Sequence, residues 1–203
     1  MASQIYLIRH GETPSNATRV VQTPETPLSK RGRKQAIALG RRLAQQDVTA
    51  ILSSDLERAH ETARAVAART GAAISLDATL QERNFGDIRG TPYHDLDVDI
   101  FAHDYVPPGG EGGSTFERRV ADAWAATREA ASRTEGILAV VTHGLVLRVL
   151  AEKHLETGHQ EPSSEWQNTC VTIVDPAPPF LVDRLGCIAH LDEGGREQAG
   201  GVA

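Results

Sequence analysis

The sequence predicts an α/β protein of three layers, α/β/α, with a mostly parallel central sheet flanked by helices. Three observations predict it. Short apolar runs of strand length alternate along the chain with segments of helical periodicity. A chain of 203 residues with 40% apolar content can bury one good core and is short for two. No internal repeat and no linker marks a second unit.

The elements follow in order. "IYLI" (5–8) is a short buried strand. Ser29 caps a helix to about 46, with Ala36, Ile37, Leu39, Leu43 and Ala44 on one stripe. "TAILSS" (49–54) is a second strand, and Ser54 or Asp55 caps a helix to about 70 that Gly71 stops. "AISLD" (73–77) is a third strand. Between 81 and 113 periodicity is lost among turn residues, in "NFGDIRG", "TPYHDLDVD" and "PPGGEGG". A stretch this long without regular structure is expected to be a lid or binding insert. Ser114 opens a helix to about 133 carrying Phe116, Val120, Trp124 and Ala131. "GILAVVT" (136–142) is the clearest strand, and a helix over about 145–154 follows it. "CVTIVD" (170–175) and "RLGCIAHL" (184–191) complete the sheet. One domain is therefore expected over 1–191, with a polar, Gly-rich tail at 192–203 expected to fray.

Composition narrows the function. A net charge of −6 argues against nucleic acid or an anionic membrane as the main partner. Cys170 and Cys187 lack metal-ligand spacing and read as small core residues, in keeping with a reducing compartment. The N-terminus carries no signal-peptide pattern, and no apolar run approaches the roughly 20 residues of a membrane helix. A cytoplasmic location is the expectation, with no cofactor and no metal. "HDLDVD" (94–99) fails the calcium-loop template, because Ile100 stands at its sixth position and Val106 at its twelfth. The oligomeric state is left open, a homodimer being one option.

Three strand ends are chemically loaded. The first carries Arg9, His10 and Gly11; the second brings Arg58 one turn into its helix; the central one ends in His143-Gly144. Ligands of open α/β sheets collect outside such carboxyl ends, where helix N-termini also present free N–H groups. Each residue has a bland explanation alone: a surface histidine, a solvated arginine, a turn glycine. Together, two arginines and two histidines suit a phosphate dianion, whose oxygens match the paired donors of guanidinium.

"LIRHGET" with Asn16, then "SSDLERAHETA", "LQERNFGDIRG" and "VTHGLVLRVL", resembles in order the histidine phosphatase superfamily, which includes the cofactor-dependent phosphoglycerate mutases and many phosphatases. The resemblance runs from Ile5 to about Val174. It implies that His10 is the nucleophile that becomes phosphohistidine. It implies that Arg9 and Arg58 hold phosphoryl oxygens, that His143 is the second pocket histidine, and that Asn16 contacts phosphate. Glu82 matches the residue that protonates the leaving oxygen in one branch. Gln22 and Thr23 stand where many relatives have a Gln-Gly or Thr-Gly pair, but Pro24 follows and the glycine is missing. Gly144 completes the implied phosphate contacts. Glu12 is as well explained by helix capping as by chemistry, and Arg118 and Arg119 read as solvated or ion-paired.

The chemistry is self-consistent. Cationic side chains cancel the charge with which a phosphomonoester repels nucleophiles, so no metal is required. Neighbouring cations keep His10 neutral, and a carboxyl beside bound phosphate has a raised pKa. The expected function is phosphomonoester hydrolysis on a small phosphorylated metabolite. Alternatives are a phosphoglycerate mutase and a non-catalytic phospho-ligand binder. The mutase branch typically carries a longer chain with an added basic segment; here 81–113 has only Arg83 and Arg89 as cations. The substrate itself is not legible, since its determinants lie in 81–113 and in the 155–169 loop.

Overall fold

The computed structural model describes residues 1–160 and 166–191; the predicted tail, and the centre of the 155–169 loop, lie outside the described residues. In chain order the elements are β1 (Gln4–Arg9), α1 (Pro14–Thr18), α2 (Lys30–Leu43), β2 (Val48–Ser53), α3 (Glu57–Thr70), β3 (Ala73–Leu76), α4 (Gly113–Arg133), β4 (Ile137–Thr142), α5 (Gly144–Lys153), β5 (Val171–Val174) and β6 (Val182–Cys187). The six strands form one sheet in the order β3-β2-β4-β1-β5-β6. β3, β2, β4 and β1 pair in parallel, while β5 runs antiparallel to both of its neighbours.

The period-2 alternation of β1 builds the layers. Tyr6 and Ile8 join Leu39 and Leu43 of α2 and Ala59, Ala63 and Val66 of α3 on one face. Ile5 and Leu7 join Val120 and Trp124 of α4 and Leu147 and Leu150 of α5 on the other. Every residue of β4 is buried, as expected of a strand covered on both faces. β1 leads to helices on the first face and β4 to a helix on the second. Their adjacent carboxyl ends therefore flank the crevice at which the topology switches. Among the described residues no helix is long and apolar enough to cross a membrane.

Several local features differ from the sequence expectation. α1 is too short for periodicity to reveal; Thr13 caps it, and Asn16 closes a capping box with Thr13. Ser29 does cap α2, but α3 begins beyond Ser54 and Asp55, with Leu56 at its N-cap. α4 begins at Gly113, with Gly112 at its N-cap, rather than at Ser114. Cys170 is fully buried, whereas Cys187, on β6, is partly exposed.

The 81–113 stretch is irregular yet tightly organised. The Arg83 guanidinium donates to the carbonyls of Ile100, Ala102, Tyr105 and Glu111. Gly86 allows the 107–110 segment to cross it, because a methyl there would overlap the Pro108 carbonyl oxygen. A second lacing joins this stretch to the segment after α1. Gly90 N donates to Val21 O at 2.8 Å, Val21 N to Thr91 O at 3.0 Å and Tyr93 N to Arg19 O at 2.8 Å. Periodicity could not show this, because side-chain and bridge hydrogen bonds replace the ladders of regular elements.

Candidate active site

β1 and β4 deliver the two histidines side by side. His10 N donates to Thr142 O at 3.0 Å, extending the parallel pairing past the strand end. The two imidazoles then lie with centroids 5.1 Å apart and planes inclined at 57°. The turn carrying His10 is pinned by glycines. A methyl on Gly11 would stand 2.7 Å from Gly32 O, and one on Gly32 would overlap Glu12 O. Glu12 accepts from Ser29 Oγ at 2.8 Å and from Arg31 at 3.0 Å, so it clamps the start of α2 against this turn.

The electrostatics of His10 follow from its neighbours. Its Nδ1 lies 2.7 Å from Gly11 O. A carbonyl only accepts, so Nδ1 carries the proton and Nε2 keeps its lone pair. Burial, then Arg58 and Arg9, hold the imidazole well below the ordinary histidine range. Arg9 is buried and donates to the Trp166 carbonyl. The Arg9 guanidinium lies against the first turn of α5, its Nε 3.5 Å from where a Cβ on Gly144 would stand, an ordinary van der Waals distance. Arg58, a solvated helix residue by sequence alone, is 2% exposed and donates to Thr23 O at 3.0 Å. Burial pushes its pKa down to about 10, with the Glu82 charge opposing and the Arg9 charge adding to the fall.

His143 is fully buried, and its Nε2 lies 2.9 Å from Ser54 Oγ. Its Nδ1 is buried with no hydrogen-bond partner among the described residues. Ser54 Oγ accepts from Leu56 N at 3.3 Å, which leaves its hydroxyl proton for another partner. Its site role was missed by sequence reasoning, which saw only a possible helix cap.

Glu82 approaches from the irregular stretch. One carboxyl oxygen accepts from Arg83 N at 3.0 Å and the other from Leu145 N at 3.3 Å, in the first turn of α5. Burial raises its pKa, and those two hydrogen bonds together with Arg58 and Arg9 hold back part of the rise. Arg119 fixes the backbone beneath it, donating to the carbonyls of Thr79, Gln81 and Glu82 while pairing with Glu111 at 2.7 Å. Arg119 is thus ion-paired, as expected, but it also positions a candidate acid, which no sequence signal disclosed.

The remaining predicted residues meet the same cleft. The Asn16 amide oxygen accepts from Thr13 N and Thr13 Oγ1, each at 3.1 Å, which leaves its amide nitrogen as the donor for a ligand. Gln22 Oε1 lies 2.9 Å from the same Thr13 hydroxyl, whose single proton the two amide oxygens share. The Thr23 N–H donates to Thr26 Oγ1 at 3.2 Å, so the chain itself takes up the backbone group that a missing glycine had put in question. Arg9, Asn16, Gln22, Thr23, Arg58, Glu82 and Gly144 line one cleft of about 610 Å³, part of it open to solvent. The two imidazoles are buried beside Arg9 and Arg58. Such a site can hold a phosphoryl dianion between guanidiniums, present it to a neutral imidazole and offer a proton from a carboxyl. No group of three or more His, Cys, Asp or Glu among the described residues is placed to hold a metal ion.

Comparison with known proteins agrees in extent and in fold. Residues 5–179 match a family model described as the histidine phosphatase superfamily (branch 1). The probable phosphoglycerate mutase GpmB of Citrobacter koseri is 31% identical over 206 residues, covering 93% of this chain and 95% of that protein. A putative alpha-ribazole-5'-P phosphatase from Escherichia coli K-12 superposes with a TM-score of 0.79 at 27% identity, over 93% of this chain and 98% of the other. YhfR of Bacillus stearothermophilus gives 0.81 at 30% identity, over 94% and 100%.

Proposed function

This chain belongs to the histidine phosphatase superfamily, branch 1, and from that premise we propose that it is a metal-independent hydrolase of small phosphomonoesters, acting through a phosphohistidine on His10. One observation carries the proposal. His10 is held by its Nδ1 proton on Gly11 O, with Nε2 bearing a lone pair beside two buried guanidiniums. That is a nucleophile kept neutral next to a clamp for the group it attacks.

In the first step, His10 Nε2 attacks phosphorus in line and the ester P–O bond breaks. Arg9, Arg58 and His143 face the charge on the equatorial oxygens. Ser54 Oγ–H donates to His143 Nε2, so that His143 Nδ1 carries the proton offered to a phosphoryl oxygen. Protonated Glu82 delivers its proton to the departing alkoxide, and an alcohol leaves. In the second step, Glu82 carboxylate takes a proton from water, the oxygen attacks phosphorus, and the N–P bond breaks. Phosphate is released with His10 neutral and Glu82 protonated, as at the start. A lowered His10 pKa and a raised Glu82 pKa widen the pH range in which both groups are in the required form.

Relatives carry both mutase and phosphatase names. The make-up of the 81–113 stretch favours hydrolysis: its cations are Arg83, committed to backbone carbonyls, and Arg89, so the added basic segment of the mutase branch has no counterpart there. Brief incubation with a radiolabelled phosphomonoester should leave acid-labile, base-stable label on the wild type and none on His10→Ala. Label persisting in that variant would remove His10 as nucleophile. Phosphoryl transfer to phosphoglycerate that depends on 2,3-bisphosphoglycerate and outpaces hydrolysis would establish the mutase instead. Binding without turnover would establish a phospho-ligand binder.

A further inference from the structure

His10 can attack through Nε2 only while its proton sits on Nδ1, and one group holds that proton, the Gly11 carbonyl at 2.7 Å. Gly11 lies between β1 and α1, so no ladder of regular hydrogen bonds fixes its carbonyl. Two buried polar side chains hold the turn instead, Gln35 of α2 and Thr62 of α3.

Each grips one of the amides that flank the carbonyl. Gly11 N donates to Thr62 Oγ1 at 3.0 Å, and Glu12 N donates to Gln35 Oε1 at 2.9 Å. Neither N–H has another acceptor among the described residues. Thr62 gives its own hydroxyl proton to Arg58 O, one turn back at 2.7 Å, which leaves it an acceptor toward Gly11. The other end of the first amide is held too: His10 O accepts from Asn168 Nδ2 at 3.1 Å and from Thr169 N at 3.2 Å. The His10–Gly11 peptide plane is thus fixed at both ends. In the next plane Gln35 holds the N–H, and the C=O faces His10 Nδ1. An amide that donates through its N–H offers a stronger carbonyl acceptor, so the Gln35 contact also strengthens the bond to Nδ1. Neither side chain lines the cleft.

We propose that Thr62 and Gln35 are positioning residues for the nucleophile: by holding the amides on either side of the Gly11 carbonyl, they keep the His10 proton on Nδ1 and the Nε2 lone pair free to attack. This rests on the phosphatase reading above and adds to it two residues that act through the backbone of the histidine turn. α3 then serves the site twice, with Arg58 for phosphate and Thr62 for the turn.

The test uses Thr62→Val and Gln35→Met, which remove an acceptor while keeping bulk, and Thr62→Ser, which keeps the hydroxyl. Two-bond nitrogen–proton correlation spectra of protein isotopically labelled in its histidine rings report which ring nitrogen is protonated, with His10→Gln assigning the signal. At neutral pH the wild type should show Nδ1 protonated and Nε2 bare. In Thr62→Val and Gln35→Met the two nitrogen signals should move toward each other as tautomers mix, and Thr62→Ser should stay closer to the wild type than Thr62→Val does. First-turnover rates at saturating substrate should fall about threefold or more in both acceptor-free variants, the scale of one ordinary hydrogen bond. An alkyl phosphate and p-nitrophenyl phosphate should slow alike, because the nucleophile and not the acid is disturbed, with KM little changed. Unmoved nitrogen signals or a smaller fall in rate, in either variant that folds, would overturn the role. So would a change in KM alone, which would place the effect at Arg58, or slowing confined to the alkyl ester, which would place it at Glu82. If Thr62→Val does not fold, Gln35→Met decides by the same readouts. Wild-type turnover with unmoved nitrogen signals overturns this role alone, whereas no turnover of any ester overturns the phosphatase assignment and the role with it.

Discussion

Replacing Glu82 by glutamine tests the proposed chemistry with the least change of shape. Glutamine can still accept from Arg83 N through its amide oxygen. Its amide nitrogen cannot accept from Leu145 N, so one hydrogen bond is lost at the start of α5. That loss costs on the order of 1 kcal/mol in stability, too little to unfold a domain of this size. The chemical loss should be far larger. General acid catalysis contributes roughly 10²–10⁴-fold, or about 3–5 kcal/mol of barrier, where the leaving group needs a proton. First-turnover rates by rapid quench isolate the phosphorylation step. An alkyl phosphate should slow at least 100-fold in Glu82→Gln, whereas p-nitrophenyl phosphate, whose anion leaves unaided, should slow less than tenfold. The pH dependence follows from the raised Glu82 pKa. The acid is present below that pKa and is lost as pH rises through it, so the alkyl ester rate should fall on a limb above the ordinary carboxyl range. The nitrophenyl ester should lack that limb. Equal slowing of both esters, or matching pH limbs, would remove Glu82 from the acid role.

Two further predictions rest on single contacts. Ser54→Ala takes the hydrogen bond from His143 Nε2 and should lower first-turnover rates about tenfold, the equivalent of one hydrogen bond of 1.4 kcal/mol. Unchanged rates would show that His143 needs no such support. Gly32→Ala should reverse the usual sign for a helix: alanine normally stabilises by up to ~1 kcal/mol, but here its methyl meets Glu12 O. A loss of about 1–3 kcal/mol is expected by denaturant unfolding, and a gain would refute the close approach of α2 to the histidine turn.

The legible and illegible parts of the site divide by the range of the interaction that makes them. Arg9, His10 and His143 could be placed because each ends an apolar run, and a run of that kind declares a buried strand with a defined end. Arg58 could be placed one turn into a helix, but its 2% exposure could not, since burial depends on Thr23 and Glu82 arriving from elsewhere in the chain. Glu82 was legible through resemblance only, because the segment around it has no period. Ser54 and Arg119 were legible as a cap and a paired helix residue. Their functional contacts run across 89 residues to His143 and across 37–40 residues to the 79–82 backbone.

By itself, the sequence determined the layered α/β architecture and the strand ends at which chemistry could gather. Period and length are local properties of the chain, and burial of an apolar stripe follows from them directly. Only the tertiary structure decided which charges are matched. It turned Arg83 inward onto carbonyls, set Arg119 beneath Glu82 and left Arg89 lining the cleft with no ion pair among the described residues. Those three arginines look alike in the sequence. They differ because a guanidinium takes its role from the acceptors within about 3 Å of it, and here those acceptors are supplied by distant segments of the fold.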